Sequence, residues 1–242
     1  MTTRAIALVT GGSAGIGKAI CEHLLRRDYT VISLDRQPAQ IEHTKFSSIA
    51  IDLFDTRATA AVVEEVCIKH AATTIVHNAG VIRAALLPDV KLDDVNALMN
   101  LHVATAITLV QAALPAMKAA GFGRVVMVSS RAALGLATRT AYSASKAGMI
   151  GMARTWALEL GPLGITVNIV APGPILTDMF YDVIPAGSPK IKEIAANIPV
   201  KRIGVPDDVA RAVMFLAAPD SGFVTGQVLY VCGGTSIGSI TF

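Results

Sequence analysis

The run Ala5-Ile-Ala-Leu-Val9 is followed at once by Thr10-Gly-Gly-Ser-Ala-Gly-Ile-Gly17 and then by a helically spaced apolar segment from Lys18 to Arg27. Few folds accommodate that succession. Consecutive apolar strand formers are what a strand buried on both faces of a parallel sheet requires. Gly11, Gly15 and Gly17 suit a backbone that turns sharply, lets a phosphate come close and packs a helix tightly on the preceding strand. The helix N-terminus then offers free N–H groups and the positive end of its dipole to a pyrophosphate. Ser13 and Ile16 lie in the same loop and join the candidate cofactor-binding set. The spacing is Gly-x-x-x-Gly-x-Gly, longer than the common Gly-x-Gly-x-x-Gly.

The next apolar run, Thr30 to Leu34, ends at Asp35. An acidic residue there, about twenty positions after the glycine loop, hydrogen-bonds the adenosine ribose of NAD and repels the extra phosphate of NADP. Arg36 softens that repulsion. NAD is the expected cofactor and NADP the less favoured one. Further on, Tyr142-Ser-Ala-Ser-Lys146 sets a tyrosine and a lysine on one helix face. An ammonium beside a phenol favours the phenolate, so a group that titrates near ~10 becomes a base closer to neutrality. Ser129 and Ser130 close the apolar run that starts at Arg124.

Together these residues resemble the short-chain dehydrogenase/reductase family over essentially the whole chain. The matching motifs, all in the family's order, are Thr10-Gly-x-x-x-Gly-x-Gly17, Asp52-Leu53, Asn78-Ala79-Gly80, Asn100, Ser130, Tyr142-x-x-x-Lys146 and Pro172-Gly173. The resemblance implies a single α/β domain with a Rossmann-type doubly wound parallel sheet. It also implies NAD(P)-dependent interconversion of a secondary alcohol and a ketone, usually in a homotetramer. Within it, Asp52 contacts the adenine edge, Asn78, Ala79 and Gly80 allow close approach of the cofactor, and Pro172, Gly173, Ile175 and Thr177 hold the carboxamide end. Tyr142 is the general acid/base, Ser130 bonds the reacting oxygen, and Lys146 depresses the tyrosine pKa and holds the nicotinamide ribose. Asn100 either anchors a water that relays protons to Lys146 or simply bends its helix. The family's usual gap to tyrosine selects Ser129, whereas strand register selects Ser130; Ser130 is taken because a loop loses a residue more easily than a strand slips. His77, where relatives more often carry Asn, is read as a core residue. Cys232 stands where relatives frequently carry Asp.

Composition narrows the remaining options. A net charge of +3 without a basic run gives no reason to expect a nucleic-acid partner. Cys21, Cys67 and Cys232 lack metal-ligand spacing, so no metal site is expected, and they read as buried thiols of a reducing compartment. No secretory signal is recognised before the first strand, which points to the cytoplasm. Val95 to Met117 is free of charged residues and long enough to span a bilayer, yet Asn96, Asn100, His102 and Gln111 favour a buried helix. By resemblance this helix lies at a subunit interface. Pro38, in the short stretch between Asp35 and Asp52, reduces the crossover there to a loop. Asp178 to Val200, with Met179, Phe180, Tyr181, Val183, Ile184 and Ile191, reads as a substrate lid hinged at Gly187 and three prolines. Arg83, Arg131 and Arg139 are candidates for a substrate carboxylate or a coenzyme A phosphate, or else for ion pairs. The apolar tail Ser239–Phe242 suits docking on a neighbouring subunit. Two alternative functions stand beside the alcohol dehydrogenase: an NADPH-dependent 3-oxoacyl thioester reductase, which Asp35 and Ala14 disfavour, and a non-catalytic NAD-sensing protein, which the intact Ser130, Tyr142 and Lys146 disfavour.

Overall fold

Seven apolar segments become strands in the computed structural model, which describes residues 5–237: β1 Ile6–Thr10, β2 Thr30–Asp35, β3 Phe46–Ala50, β4 Thr74–His77, β5 Gly123–Val128, β6 Ile165–Pro172 and β7 Val228–Val231. They form one sheet in the order β3-β2-β1-β4-β5-β6-β7, with every pair parallel. The central strands β4, β5 and β6 are buried at every position, while the edge strands β3 and β7 are partly open. That gradient is why the central strands read as unbroken apolar runs. The chain moves outward from β1 to β3, then restarts at β4 on the other side of β1. This reversal creates the crevice at the strand carboxyl ends where ligands of open α/β sheets bind. Register makes the crevice level: Thr10 pairs with His77 and Val128 with Val170, so Gly11, Asn78, Ser129 and Ala171 emerge along one edge.

Helices cover both faces. On one side α1 (Gly15–Arg26) packs Ile20, Cys21, Leu24 and Leu25 into a core shared with Val209, Val213 and Met214. On the other, α2 (Thr56–His70) contributes Val63 and Cys67 to a larger core. Each fully buried Leu, Ile or Met there stabilises the fold by about 1.5–3 kcal/mol. The Asp55 side chain accepts from Ala58 N and caps α2. Next come α3 (Leu92–Met99), a π-helical turn over Asn100–Ala104, and α4 (Thr105–Ala120), which ends at Gly121 in a left-handed conformation. Leu92–Ala120 is long and apolar enough to cross a membrane, but Leu98, Leu101, Leu109, Ala113 and Met117 are buried within the fold. The remaining helices are α5 (Thr140–Leu160), α6 (Asp178–Tyr181), α7 (Lys190–Asn197) and α8 (Pro206–Ala217).

Several expectations shift in detail. No helix connects β2 to β3, as Pro38 predicts, and Ala39 N instead bonds Ser48 Oγ at 3.0 Å. β3 starts at Phe46, which pairs with Val31 of β2. The fifth strand stops at Val128: Ser129 N still bonds Val170 O, but Ser130 leaves the ladder and caps a 3-10 turn over Arg131–Leu134. All three cysteines are free and buried, and burial pushes the Cys21 thiol up to about 12 and the Cys67 thiol up to about 11, so both are inert. The tail Ser239–Phe242 lies outside the described residues.

Candidate active site

Thr10 organises the start of the crevice. Its Oγ1 accepts from Asn78 N and Ala79 N, both at 3.1 Å, and contacts His77 Nδ1 at 2.8 Å. Asn78 Nδ2 in turn donates to Gly11 O at 3.0 Å, which ties the β4 end to the glycine loop. Gly11 has φ +71° and a methyl there would meet Ala79 Cα at 2.8 Å. The reason for Gly17 is different: a methyl on it would lie 1.8 Å from Gly11 O, so helix and loop could not pack. Gly15 faces the lid, since its Cβ would stand 3.2 Å from Thr177 Cγ2. Ser13 does not reach the cavity wall. It donates from N and Oγ to Asp35 Oδ2, at 3.0 and 2.7 Å, and thereby holds that carboxylate at the mouth.

These elements enclose a cavity of about 710 Å³, within the ~300–1,000 Å³ usual for cofactor and substrate sites. Gly11, Gly15 and Ile16 line one end with Asp35, Arg36, Asp52 and Leu53; Asn78, Ala79 and Gly80 form the floor. Ser130, Tyr142 and Lys146 stand on the wall reached next, and Pro172, Gly173, Ile175 and Thr177 close the far side. Gly173 is pressed on Cys232, whose Cα a methyl would meet at 2.8 Å. Thr177 caps α6 through a bond from Phe180 N. Met179, Phe180, Val183 and Ile184 cover the opening as the lid reading predicts, while Tyr181 and Ile191 stay out of its lining.

The two serines separate by role. Ser129 is buried, and its Oγ donates to Lys146 O at 2.8 Å, which fastens α5 to β5. Ser130 Oγ accepts from Ala132 N and interacts with the Tyr142 phenol. Burial raises the Tyr142 pKa, and Ser130 and the Arg139 guanidinium pull it back. Lys146 is itself pushed down to about 7 by burial; its Nζ donates to Val128 O at 2.9 Å and sits 5.6 Å from the centre of the Tyr142 ring. The ammonium that was to activate the phenol is thus held at the edge of its own titration. Asn100 opens the π turn, is exposed and outside the cavity lining, and its carbonyl accepts from Thr105 Oγ1 at 3.1 Å. Its position supports the helix-bending reading.

Arg139 lies outside the family motifs. One helical turn before Tyr142, it lines the cavity and is oriented by Thr138 Oγ1 at 2.6 Å. Arg131 also lines the cavity, with a bond to Thr235 O at 3.5 Å. Arg83 is engaged elsewhere, in an ion pair with Asp94 at 2.5 Å and stacked over Phe54. His77 is fully buried, as expected of a core residue.

A family model described as enoyl-(acyl carrier protein) reductase matches residues 11–236. The (2S)-[(R)-hydroxy(phenyl)methyl]succinyl-CoA dehydrogenase subunit BbsD of Thauera aromatica is 37% identical over 242 aligned residues, covering 96% of each chain. The 3-oxoacyl-[acyl-carrier-protein] reductase FabG of Vibrio harveyi is 36% identical over 239 residues, covering 95% of this chain and 96% of its own. Among solved structures, a protein of Beutenbergia cavernae assigned as an NAD(P)-dependent gluconate 5-dehydrogenase, with NADP bound at low occupancy, superposes with a TM-score of 0.88 at 31% identity and 97% coverage of both chains.

Proposed function

The chain belongs to the short-chain dehydrogenase/reductase family of oxidoreductases, and we propose that it interconverts a 3-hydroxyacyl and a 3-oxoacyl thioester with NAD as preferred cofactor. The observation that carries the reading is the meeting of Ser130, Tyr142 and Lys146 on one wall of the cavity whose other end is the glycine loop. The thioester class is supported by the substrates in the names of two full-length relatives, a succinyl-CoA derivative and a 3-oxoacyl-acyl-carrier protein. Arg131 and Arg139 add cationic groups to the wall, suited to an anionic carrier. This reading displaces the simple secondary alcohol as first choice.

The residues present fit a nicotinamide dinucleotide. Gly11, Gly15 and Ile16 of the glycine loop line the cavity, Asp35 stands ready for ribose hydroxyls, and Lys146 and Thr177 line the same cavity. When bound, that cofactor supplies or accepts the hydride. Tyr142 gives its phenolic proton to the oxygen of a substrate carbonyl being reduced, and takes it back from the hydroxyl in the oxidising direction. Its raised pKa keeps the proton in place for reduction. Ser130 Oγ bonds the same oxygen and stabilises charge developing there. Lys146 and Arg139 lower the cost of the phenolate that follows proton release. The apolar lid excludes water from the reaction.

Acetoacetyl-CoA reduction and 3-hydroxybutyryl-CoA oxidation, each assayed with both nicotinamide cofactors beside a panel of free secondary alcohols, test the proposal. Thioester turnover that disappears in Tyr142→Phe is the expected result. Turnover restricted to free alcohols would return the simpler dehydrogenase reading, and cofactor binding without turnover of any substrate would favour a sensor.

A further inference from the structure

Two buried histidines flank Lys146, and hydrogen counting assigns each a tautomer. Ser145 Oγ donates its one proton to Tyr142 O at 2.9 Å and lies 2.8 Å from His102 Nδ1. Both contacts are satisfied only if Nδ1 carries the imidazole proton and donates to the serine oxygen. Neutral His102 then has a bare lone pair on Nε2, an atom that is buried with no hydrogen-bond partner. His77 is the reverse. Thr10 Oγ1 already accepts two backbone N–H groups, so its proton goes to His77 Nδ1 and the imidazole proton sits on Nε2. That N–H faces the backbone of Leu101 and His102 in the π turn. Burial holds both rings neutral, with His77 pushed down to about 3 and His102 also strongly lowered.

Gly80 locates the lone pair. A methyl built there would lie 2.9 Å from His102 Nε2 and 3.3 Å from Lys146 Nζ, so the two nitrogens border one point. The His102 ring also stands edge-on to Tyr142, with centres 5.7 Å apart. The titratable groups around Lys146 are His77 from β4, His102 from the π turn and Tyr142 from its own helix; β5 adds only the Val128 carbonyl. Tyr142 in turn faces Arg139. Such surroundings leave the ammonium with few acceptors.

We propose that His102 is a positioning residue for Lys146, offering the Nε2 lone pair of a fixed tautomer to the lysine amine through one bridging water, and so favouring its charged form beside Tyr142. The proposal rests on the oxidoreductase reading of this site. His102 is buried within the π turn, while Asn100 at its start is exposed. A hydrogen-bond acceptor stabilises an ammonium, so losing it lowers the lysine pKa further and leaves Tyr142 harder to ionise.

Nitrogen-15 NMR of the imidazoles and of the Lys146 amine tests this without turnover. Expected are the Nδ1–H form for His102 and the Nε2–H form for His77 at neutral pH. His102→Leu is expected to lower the Lys146 midpoint by about one pH unit, while His102→Gln, whose amide oxygen stands in for Nε2, keeps it within about 0.3. In thioester oxidation the acid limb of the kcat/KM profile moves up in His102→Leu and returns in His102→Gln. If His102→Leu does not fold, Ser145→Ala, which frees the tautomer, is expected to lower the same midpoint. An Nε2–H form of His102 in the wild type, or an unchanged Lys146 midpoint in His102→Leu, overturns the proposal. Failure of the wild-type chain to turn over any thioester overturns the functional reading instead, and the NMR result still decides the role of His102.

Discussion

Replacing Asp35 with Asn removes a charge while keeping an oxygen able to accept from Ser13 N and Oγ, which now bond Asp35 Oδ2 at 3.0 and 2.7 Å. The variant therefore isolates electrostatics from loop geometry. Asp35 sits half-buried at the cavity mouth, so its interaction with a phosphate lies nearer the water limit than the interior one. Unit charges about 4 Å apart interact by ~1 kcal/mol in water and ~4 kcal/mol at an effective dielectric of 20, and a phosphate monoester carries close to two charges. A repulsion of about 3 kcal/mol against NADP follows, and exposed Arg36 offsets about 1 kcal/mol of it. The net of about 2 kcal/mol corresponds to a roughly thirtyfold preference for NAD. Calorimetric titration with NAD and NADP, together with kcat/KM for each, measures it. Asp35→Asn removes the whole repulsion of about 3 kcal/mol while Arg36 stays, so NADP is expected to improve by roughly 150-fold, and NAD to weaken only severalfold because a neutral acceptor replaces a charged one. The NADP bound in the Beutenbergia cavernae relative makes this a stringent comparison. Wild-type preference for NADP, or a ratio that Asp35→Asn moves by less than about threefold, would refute the reasoning.

Three further outcomes follow from the same geometry. Thr10→Val orphans two backbone N–H groups and His77 Nδ1. A loss of about 2–4 kcal/mol, seen as a fall in Tm of roughly 5–15 °C that Thr10→Ser largely restores, is expected by calorimetry. Acid should destabilise the chain before its carboxylates titrate. The His77 imidazole takes a proton near 6.5 when unfolded but only at about 3 when folded, so its contribution is complete above pH 6.5 and is lost as pH falls towards 3. Urea unfolding between pH 5 and 6.5 is expected to show about 1.4 kcal/mol per pH unit for each buried imidazole, halved in His77→Asn; a flat profile would sink the assignment. Gly80→Ala places a methyl 2.9 Å from His102 Nε2 and 3.3 Å from Lys146 Nζ. Steady-state kinetics are expected to show kcat falling at least tenfold, because Lys146 is displaced from Tyr142, and an unchanged kcat would contradict the crowding at that point.

Short-range physics made much of the molecule legible from residues alone. The glycine turn, the strands leading to Thr10 and Asp35, and the helix carrying Tyr142 and Lys146 were all readable, since burial, turn geometry and helical spacing are local properties. Loss of the helix between β2 and β3 was readable for the same reason, because Pro38 acts on its own neighbourhood. The glycine loop, Asn78-Ala79-Gly80 and Pro172 to Thr177 do meet around one cavity, but that meeting depends on strand order and register.

Side-chain environments across elements were settled only by tertiary structure. Ser129 and Ser130 are adjacent in sequence, and only the docking of α5 on β5 turns one to Lys146 O and the other to Tyr142. Across the π turn Asn100 lies exposed and His102 buried, and no 3.6-residue periodicity announces such a turn. Charge followed the same rule. The motif places an ammonium beside a phenol, but only burial in the assembled fold brings Lys146 to about 7 and sets Ser130 and Arg139 against a Tyr142 that burial has raised. Sequence spacing determined which residues could meet, whereas burial, a property of the assembled fold, decided what each could do there.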